Sequence, residues 1–211
     1  MMKIKKGATR EPVPEGAFPA RCYKMIHFGT VPDTYNGEAK LTNKLRLDWE
    51  LPTETKVFDE DKGPQPLSIS KDYTASFNDK SNLYKDLASW LGGLDESDEF
   101  EINDVVGKDC LVTIRHKVSG AGNTYAYVAS ISPMPKGLEC PPAINPPFIW
   151  DYESHFDDSV LANMHEYFQE KIMSSLEYKA KMEPDHTESA PMPTVDDDPG
   201  AVYDDDGNRL F

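Results

Sequence analysis

Eight consecutive residues, Lys44-Leu45-Arg46-Leu47-Asp48-Trp49-Glu50-Leu51, alternate without a break between charged and large apolar side chains. Only an extended chain puts every second side chain on one face. Leu45, Leu47, Trp49 and Leu51 are therefore expected to point into a core, and Lys44, Arg46, Asp48 and Glu50 away from it. Pro52 has no amide hydrogen, and the strand is expected to stop there.

Further segments complete a pattern around this strand. Residues 17–28 alternate loosely, with Phe18, Ala20, Cys22 and Ile26 on one side and Arg21, Tyr23 and His27 on the other, which predicts a first strand beginning near Glu15-Gly16. Residues 31–43 are rich in Pro, Asp, Asn, Gly and Thr and are expected to form an exposed connection that holds Tyr35. After a charged loop over residues 53–66, Leu67, Ile69, Lys71 and Tyr73 alternate with small polar residues and predict a third strand over 67–74. Leu83, Leu87, Trp90 and Leu91 then recur at helical spacing, behind the capping candidates Asn78 and Ser81 and ahead of Gly92-Gly93. Residues 109–117 and 124–132 read as a hairpin with the glycine-rich tip Ser119-Gly120-Ala121-Gly122-Asn123, ended by Pro133 and Pro135. Three strands, a helix and two strands make a mainly β chain, in the order of a five-stranded OB-fold barrel, here over residues 15–135.

The flanks differ in kind. Residues 1–14 read as a flexible basic arm. Beyond the barrel, over residues 136–183, Pro141, Pro142, Pro146 and Pro147 stiffen a crossing segment. From residue 159, Leu161, Met164, Phe168, Ile172 and Leu176 then repeat at three and four as one added C-terminal helix. Its apolar stripe needs a partner in the same barrel, another subunit or a separate protein, so monomer and dimer both stay open. Residues 184–211 combine proline, acidic runs and few apolar groups. Burial there cannot offset the entropy of ordering, and a disordered acidic tail is expected.

Charge limits what such a barrel can bind. The 211 residues carry a net −15, which disfavours nucleic acid, because affinity for phosphates comes mainly from Lys and Arg. Eight acidic residues against Arg209 give the tail −7 and leave −8 on residues 1–183. Any nucleic-acid contact must therefore be a local basic stripe. No apolar run approaches the roughly 20 residues that span a bilayer, and Met1-Met2-Lys3-Ile4-Lys5-Lys6-Gly7 has no apolar stretch behind it, so an unexported, cytoplasmic chain is expected. Cys22, Cys110 and Cys140, odd in number and widely spaced, fit reduced, buried thiols better than metal ligands or a nucleophile.

The strands carry the residues that binding to a single nucleic-acid strand requires, namely cations to follow phosphates and aromatic faces on which bases stack. Arg21, Tyr23 and His27 lie on the outward side of the first strand, Lys44 and Arg46 on the second, Lys71 and Tyr73 on the third, and Arg115 and Lys117 on the fourth. Tyr125 and Tyr127 share a face of the fifth as a stacking platform, and Tyr35 stands in the first connection. Trp49 and Trp90 sit on apolar stripes and belong to the core, while Trp150 reads as a latch onto the barrel. The histidines, His27, His116, His155, His165 and His186, do not pair at ligand spacing, and neither a Gly-rich phosphate loop nor a GxSxG turn occurs. Neither a catalytic centre, a metal nor a cofactor is expected.

A disordered acidic segment ending in Phe211 behind an OB-type barrel resembles bacterial and phage single-stranded DNA-binding proteins. Residues 14–180 are also similar to phage-encoded proteins of replication, through Pro14-Glu15-Gly16-Ala17-Phe18-Pro19-Ala20-Arg21, residues 44–52, Ile69-Ser70-Lys71-Asp72-Tyr73-Thr74 and Gly107-Lys108-Asp109-Cys110-Leu111-Val112-Thr113-Ile114. The resemblance implies a non-enzymatic protein in the cytoplasm of an infected bacterial host. It would coat unwound DNA without sequence preference during replication, recombination and repair. Its tail would recruit replication polymerase, helicase-primase or recombination proteins, with Asp204, Asp205, Asp206, Leu210 and Phe211 as the docking residues. The ending departs from the family pattern, because Gly207-Asn208-Arg209-Leu210 separates the last acids from Phe211. Tail and DNA are expected to compete for one basic groove. Two rival readings stand beside this one: an acidic DNA mimic that occupies a nucleic-acid-processing enzyme, and an accessory subunit whose barrel binds protein.

Overall fold

The structure, a computed structural model, describes residues 11–35, 37–94 and 100–183, without the side chains of Tyr35 and Asp59. Five antiparallel strands form a nearly closed barrel: β1 (Gly16–Tyr35), β2 (Glu38–Asp59), β3 (Gly63–Thr74), β4 (Asp109–Val118) and β5 (Thr124–Ser132), paired in the order β3-β2-β1-β4-β5. This is the expected OB-type arrangement. A short β6 (Phe148–Trp150) adds to β1 in parallel. Helix α1 (Asn82–Leu91) lies between β3 and β4 in the chain and covers the seam between β3 and β5. Ser89 Oγ donates to Ile131 O at 2.8 Å, and Trp90 Nε1 donates to Asp109 O at 2.8 Å. Ser81 caps its start by accepting from Tyr84 N, and Gly92, at φ 77°, ends it. Leu45, Leu47, Trp49 and Leu51 are buried as their alternation requires, with the Trp49 and Trp90 rings 6.1 Å apart.

Three local expectations are corrected. The segments 31–43 and 53–66 are not loops but continuations of the strands, so the barrel carries two long hairpin arms. β1 and β2 stay paired out to Tyr35↔Glu38, with Gly37 at φ 84° just before β2. β2 does not stop at Pro52 either. Its register against β3 slips between Leu51 and Thr55, a bulge that carries the strand past a residue with no amide hydrogen, and pairing resumes to Asp59↔Gly63.

The second correction concerns β1. The pairs Cys22↔Trp49 and Lys24↔Asp48 leave Tyr23 as an extra residue, and the side chains from Lys24 to Phe28 change face, until a second slip between His27 and Gly29 reverses the alternation again. Met25 enters the barrel core, whereas Ile26, expected beside Phe18, Ala20 and Cys22, turns outward with Phe28.

The outward apolar face created by that bulge is what the C-terminal region covers. Its single expected helix is three: α2 (Asp158–Ala162), α3 (Glu166–Met173) and α4 (Leu176–Met182). Asp157, His165 and Ser175 each accept from an amide of the following turn and so restart the helix. These helices pack on the chain's own β1, where Leu161 and Ile172 join Ile26, Phe28, Val31, Trp150 and Tyr152 in a second buried cluster. Trp150 is the latch, fully buried at the end of β6.

Polar anchors fix the cover in place. Glu50, fully buried, accepts from Ile144 N at 3.2 Å, Asn145 N at 2.8 Å and Asn145 Nδ2 at 2.9 Å, which holds the proline-rich crossing segment. Asp151, also buried, accepts from the amides of Glu153, Ser154 and His155, from His155 Nδ1 and from Asn103 Nδ2. These hydrogen bonds, led by the one from His155, outweigh burial and hold its carboxyl far below the usual carboxylate range. Glu177 of α4 binds Thr30 N at 2.6 Å and Thr30 Oγ1 at 2.7 Å. Gly29 lies beneath it at φ 79°, where a Cβ would stand 2.5 Å from Glu177 Oε2 and 2.8 Å from the Tyr152 ring. Among the described residues, no helix is long and apolar enough to cross a membrane.

Candidate nucleic-acid interface

The β4–β5 hairpin projects beyond the part of β4 that pairs with β1, which ends at Gly16↔Ile114. A bulge at Ala129, between the pairs Thr113↔Ser130 and Ile114↔Val128, keeps Ile114 and Val128 in the core. The alternate residues Arg115, Lys117, Tyr125 and Tyr127 therefore face outward together. Arg115 lies directly opposite Tyr127, and Lys117 directly opposite Tyr125. The tip is held by Ser119 N to Asn123 O at 2.9 Å and Gly122 N to Ser119 O at 2.8 Å.

Strand geometry sets the spacing of this face. Two residues apart on β5, the tyrosines stand about 7 Å from each other along the strand, and each has a cation about 5 Å away on β4. Tyr125 is 46% exposed and Tyr127 half-buried, while Arg115 and Lys117 are exposed. Lys117 Nζ lies 4.6 Å from the centre of the Tyr127 ring, which fixes a cation at the ring face. Among the described residues neither Arg115 nor Lys117 is in an ion pair. This face can offer two aromatic planes and two uncompensated charges to a strand laid along the hairpin.

The other expected cations are placed differently. Arg21 binds Asp109 at 2.7 Å, Lys44 binds Asp33 at 2.9 Å and Lys71 binds Asp86 at 2.7 Å. Arg46 meets Asp48 at 2.8 Å and Asp72 at 3.0 Å and also reaches Ser70. Tyr73, expected on the outer face, is 3% exposed in the barrel core with its hydroxyl donating to Asp86 at 2.7 Å. Its ring cannot stack on a base, and burial, reinforced by Asp86, raises its pKa well above the ordinary tyrosine value. Tyr23 is half-buried at the β1 bulge, its hydroxyl pKa likewise raised by burial, and His27 Nε2 donates to Asn43 at 2.7 Å. The Tyr35 side chain and Asp204, Asp205, Asp206, Leu210 and Phe211 lie outside the described residues.

Residues that the sequence pattern did not single out occupy the outer face of β1–β3. Phe168 of α3 stacks on Phe28 and lies under two cations, Lys24 at 5.0 Å and Arg46 at 5.4 Å. Lys171 binds Asp72 at 3.0 Å and sits 4.0 Å above the Phe28 ring. A cavity of about 430 Å³ remains beside them, lined in part by Lys24, Phe148, Val160, Met164 and Phe168. No sequence signal placed Lys24 here, because the bulge at Tyr23 reverses its face.

Burial raises the pKa of Cys22, Cys110 and Cys140, the last to about 11, which keeps all three as thiols at neutral pH. Among the described residues, no three His, Cys, Asp or Glu side chains converge as metal ligands would. Comparison of the chain with protein-family models, with curated proteins and with solved structures finds no match.

Proposed function

We propose that this chain binds single-stranded nucleic acid, DNA in the first instance, along the outer face of the β4–β5 hairpin. The observation that carries the reading is the cross-strand set Arg115, Lys117, Tyr125 and Tyr127, in which cations without a carboxylate partner among the described residues stand opposite one exposed and one half-buried ring. Bases stack on Tyr125 and Tyr127, while the phosphates follow Arg115 and Lys117. Stacking is indifferent to base identity, so the binding is tolerant of sequence. A role in phage replication or recombination, with the acidic tail recruiting other replication proteins, is the setting in which such binding would serve.

The tail enters as a competitor. Its eight carboxylates are attracted to the same cations and hold back weak binding until a strand displaces them. That attraction weakens with salt, since the Debye length is about 8 Å near physiological ionic strength.

A titration with an unstructured oligodeoxynucleotide, followed by intrinsic Tyr and Trp fluorescence, tests the reading. Each stacked base is worth about 1–3 kcal/mol, so Y125A/Y127A weakens binding by at least tenfold while leaving the denaturation midpoint in place. Removal of residues 184–211 tightens binding most at low salt. If neither the parent nor the truncated chain binds at low salt, the hairpin is not a DNA site, and the net negative charge of the body favours the acidic mimic instead.

A further inference from the structure

The cavity beside the outer face of β1–β3, about 430 Å³, has the size of a small-molecule site. Its apolar lining comes from Phe148 of β6, Val160 of α2, and Met164 and Phe168 beyond it. One ammonium enters this lining. Lys24 Nζ stands 5.5 Å from the centre of the Phe148 ring and 5.0 Å from that of Phe168. Its counter-charge is Asp48, but at 3.8 Å the carboxylate is beyond hydrogen-bond reach, and it already accepts from Arg46 at 2.8 Å. The half-buried ammonium thus has its donors unmatched by any acceptor among the described residues.

His165 lines the same cavity. Its Nδ1 accepts from Tyr167 N at 3.2 Å, so the neutral ring carries its proton on Nε2, a second donor with no partner among the described residues.

Charge decides what can enter. Lys24, Arg46 and Lys171 share Asp48 and Asp72, three cations against two carboxylates, so the network among the described residues is left at +1. One negative charge neutralises it. A phosphate dianion would bring a surplus charge to the neighbourhood of Asp48. The lining, in turn, favours a flat ring, which can stack on phenylalanine and meet the soft sulfur of Met164.

We propose that this cavity binds a small aromatic carboxylate, its ring against Phe148 and Phe168 and its carboxylate accepting from Lys24 Nζ, with His165 as the second donor. The site is separate from the β4–β5 hairpin and does not rest on the single-strand reading. A nucleic-acid strand suits it poorly, because Phe168 lies across the face and only one net charge is on offer.

The test is calorimetric titration of the full chain with naphthoate, and with naphthylmethanol, naphthyl phosphate and octanoate beside it. The alcohol keeps the ring without the charge, the phosphate adds a charge, and octanoate keeps the carboxylate without the ring. Naphthoate is expected to bind one to one, and about tenfold or more tighter than each of the others, the effect of one charge-assisted hydrogen bond. K24M keeps the stem over the rings and removes the charge; it is expected to weaken naphthoate about tenfold and naphthylmethanol hardly at all. V160F narrows the cavity without touching the charge network and is expected to abolish naphthoate binding, which keeps the proposal open to test should K24M fail to fold. Saturating oligodeoxynucleotide is expected to leave the naphthoate Kd unchanged. Equal binding of any of the other three probes, or a parent-like Kd in K24M or V160F, overturns the proposal. Displacement of naphthoate by the oligonucleotide also overturns it, by giving the cavity to nucleic acid, whereas absence of saturable naphthoate binding overturns it and leaves the hairpin reading intact.

Discussion

The outer face of the β4–β5 hairpin and the outer face of β1–β3 are built from the same materials, yet they are poised for opposite ends. Both alternate basic and aromatic side chains on antiparallel strands. On β1–β3 every described cation of the network has found an internal carboxylate, with Lys24 and Arg46 on Asp48 and Arg46 and Lys171 on Asp72, and Phe168 is laid across the top. On the hairpin neither cation has one among the described residues. Residue type alone therefore does not make a binding face. What decides is whether the protein has already supplied the counter-charge and the stacking partner.

The largest break in that contrast comes from W150A. Truncating a fully buried tryptophan costs about 3–5 kcal/mol, read as a drop in the chemical denaturation midpoint, and it loosens the cover over β1–β3. DNA affinity of the folded fraction is expected to stay unchanged, because Asp48 and Asp72 still hold the cations. A gain in affinity would show that the cover, and not the carboxylates, silences that face.

Acid should undo the same cover more gently. Asp151 has a folded pKa held below its unfolded value, so the stability it contributes is complete above the ordinary carboxylate pKa of about 4. That stability is lost as pH falls from there toward the folded pKa. A carboxylate holding this many hydrogen bonds contributes on the order of 2 kcal/mol. D151N is expected to flatten the acid limb of the stability profile measured by urea unfolding between neutral pH and pH 3.

R46Q sharpens the comparison from the other side. It removes a partly exposed cation shared by Asp48 and Asp72, for a loss of about 1 kcal/mol after screening, and leaves DNA affinity unaltered. The smallest effect on folding belongs to R115Q/K117Q, within about 0.5 kcal/mol of the parent, although the same pair lowers the salt slope of DNA binding by about 1.4. If R46Q weakened DNA binding as much as R115Q/K117Q does, the distinction between the two faces would collapse.

Much of this was legible in the sequence. Period-two alternation located β2 and its core residues, Ser81 and Gly92 bounded α1, and the element order led to the barrel. The hairpin face was legible too, since Arg115, Lys117, Tyr125 and Tyr127 keep the parity that simple alternation assigns them. The arms were half-legible. Asn36-Gly37 is a hairpin signal inside a segment whose Pro and Asp content reads as loop, and Pro52 looks like a stop until a bulge carries the strand past it. The bulge at Tyr23 has no such signature, so the faces of Lys24, Ile26 and Phe28 could not be assigned. Counter-charges are the least local property of all. Lys171 and Asp72 are 99 residues apart, and Asp86 reaches Tyr73 and Lys71 only because α1 folds back beneath β3.

The crowding at Gly29 carries a consequence for inheritance. Any side chain there would have to displace Glu177 and Tyr152 at once while adopting a backbone conformation that L residues avoid. Glu177 in turn has its purpose only over that gap, where it reaches Thr30 N and Thr30 Oγ1. Positions 29 and 177 are therefore expected to drift together through descent. In a distant descendant, a glycine within the bulged first strand matched to a glutamate early in α4 would mark common ancestry after the binding face itself had changed.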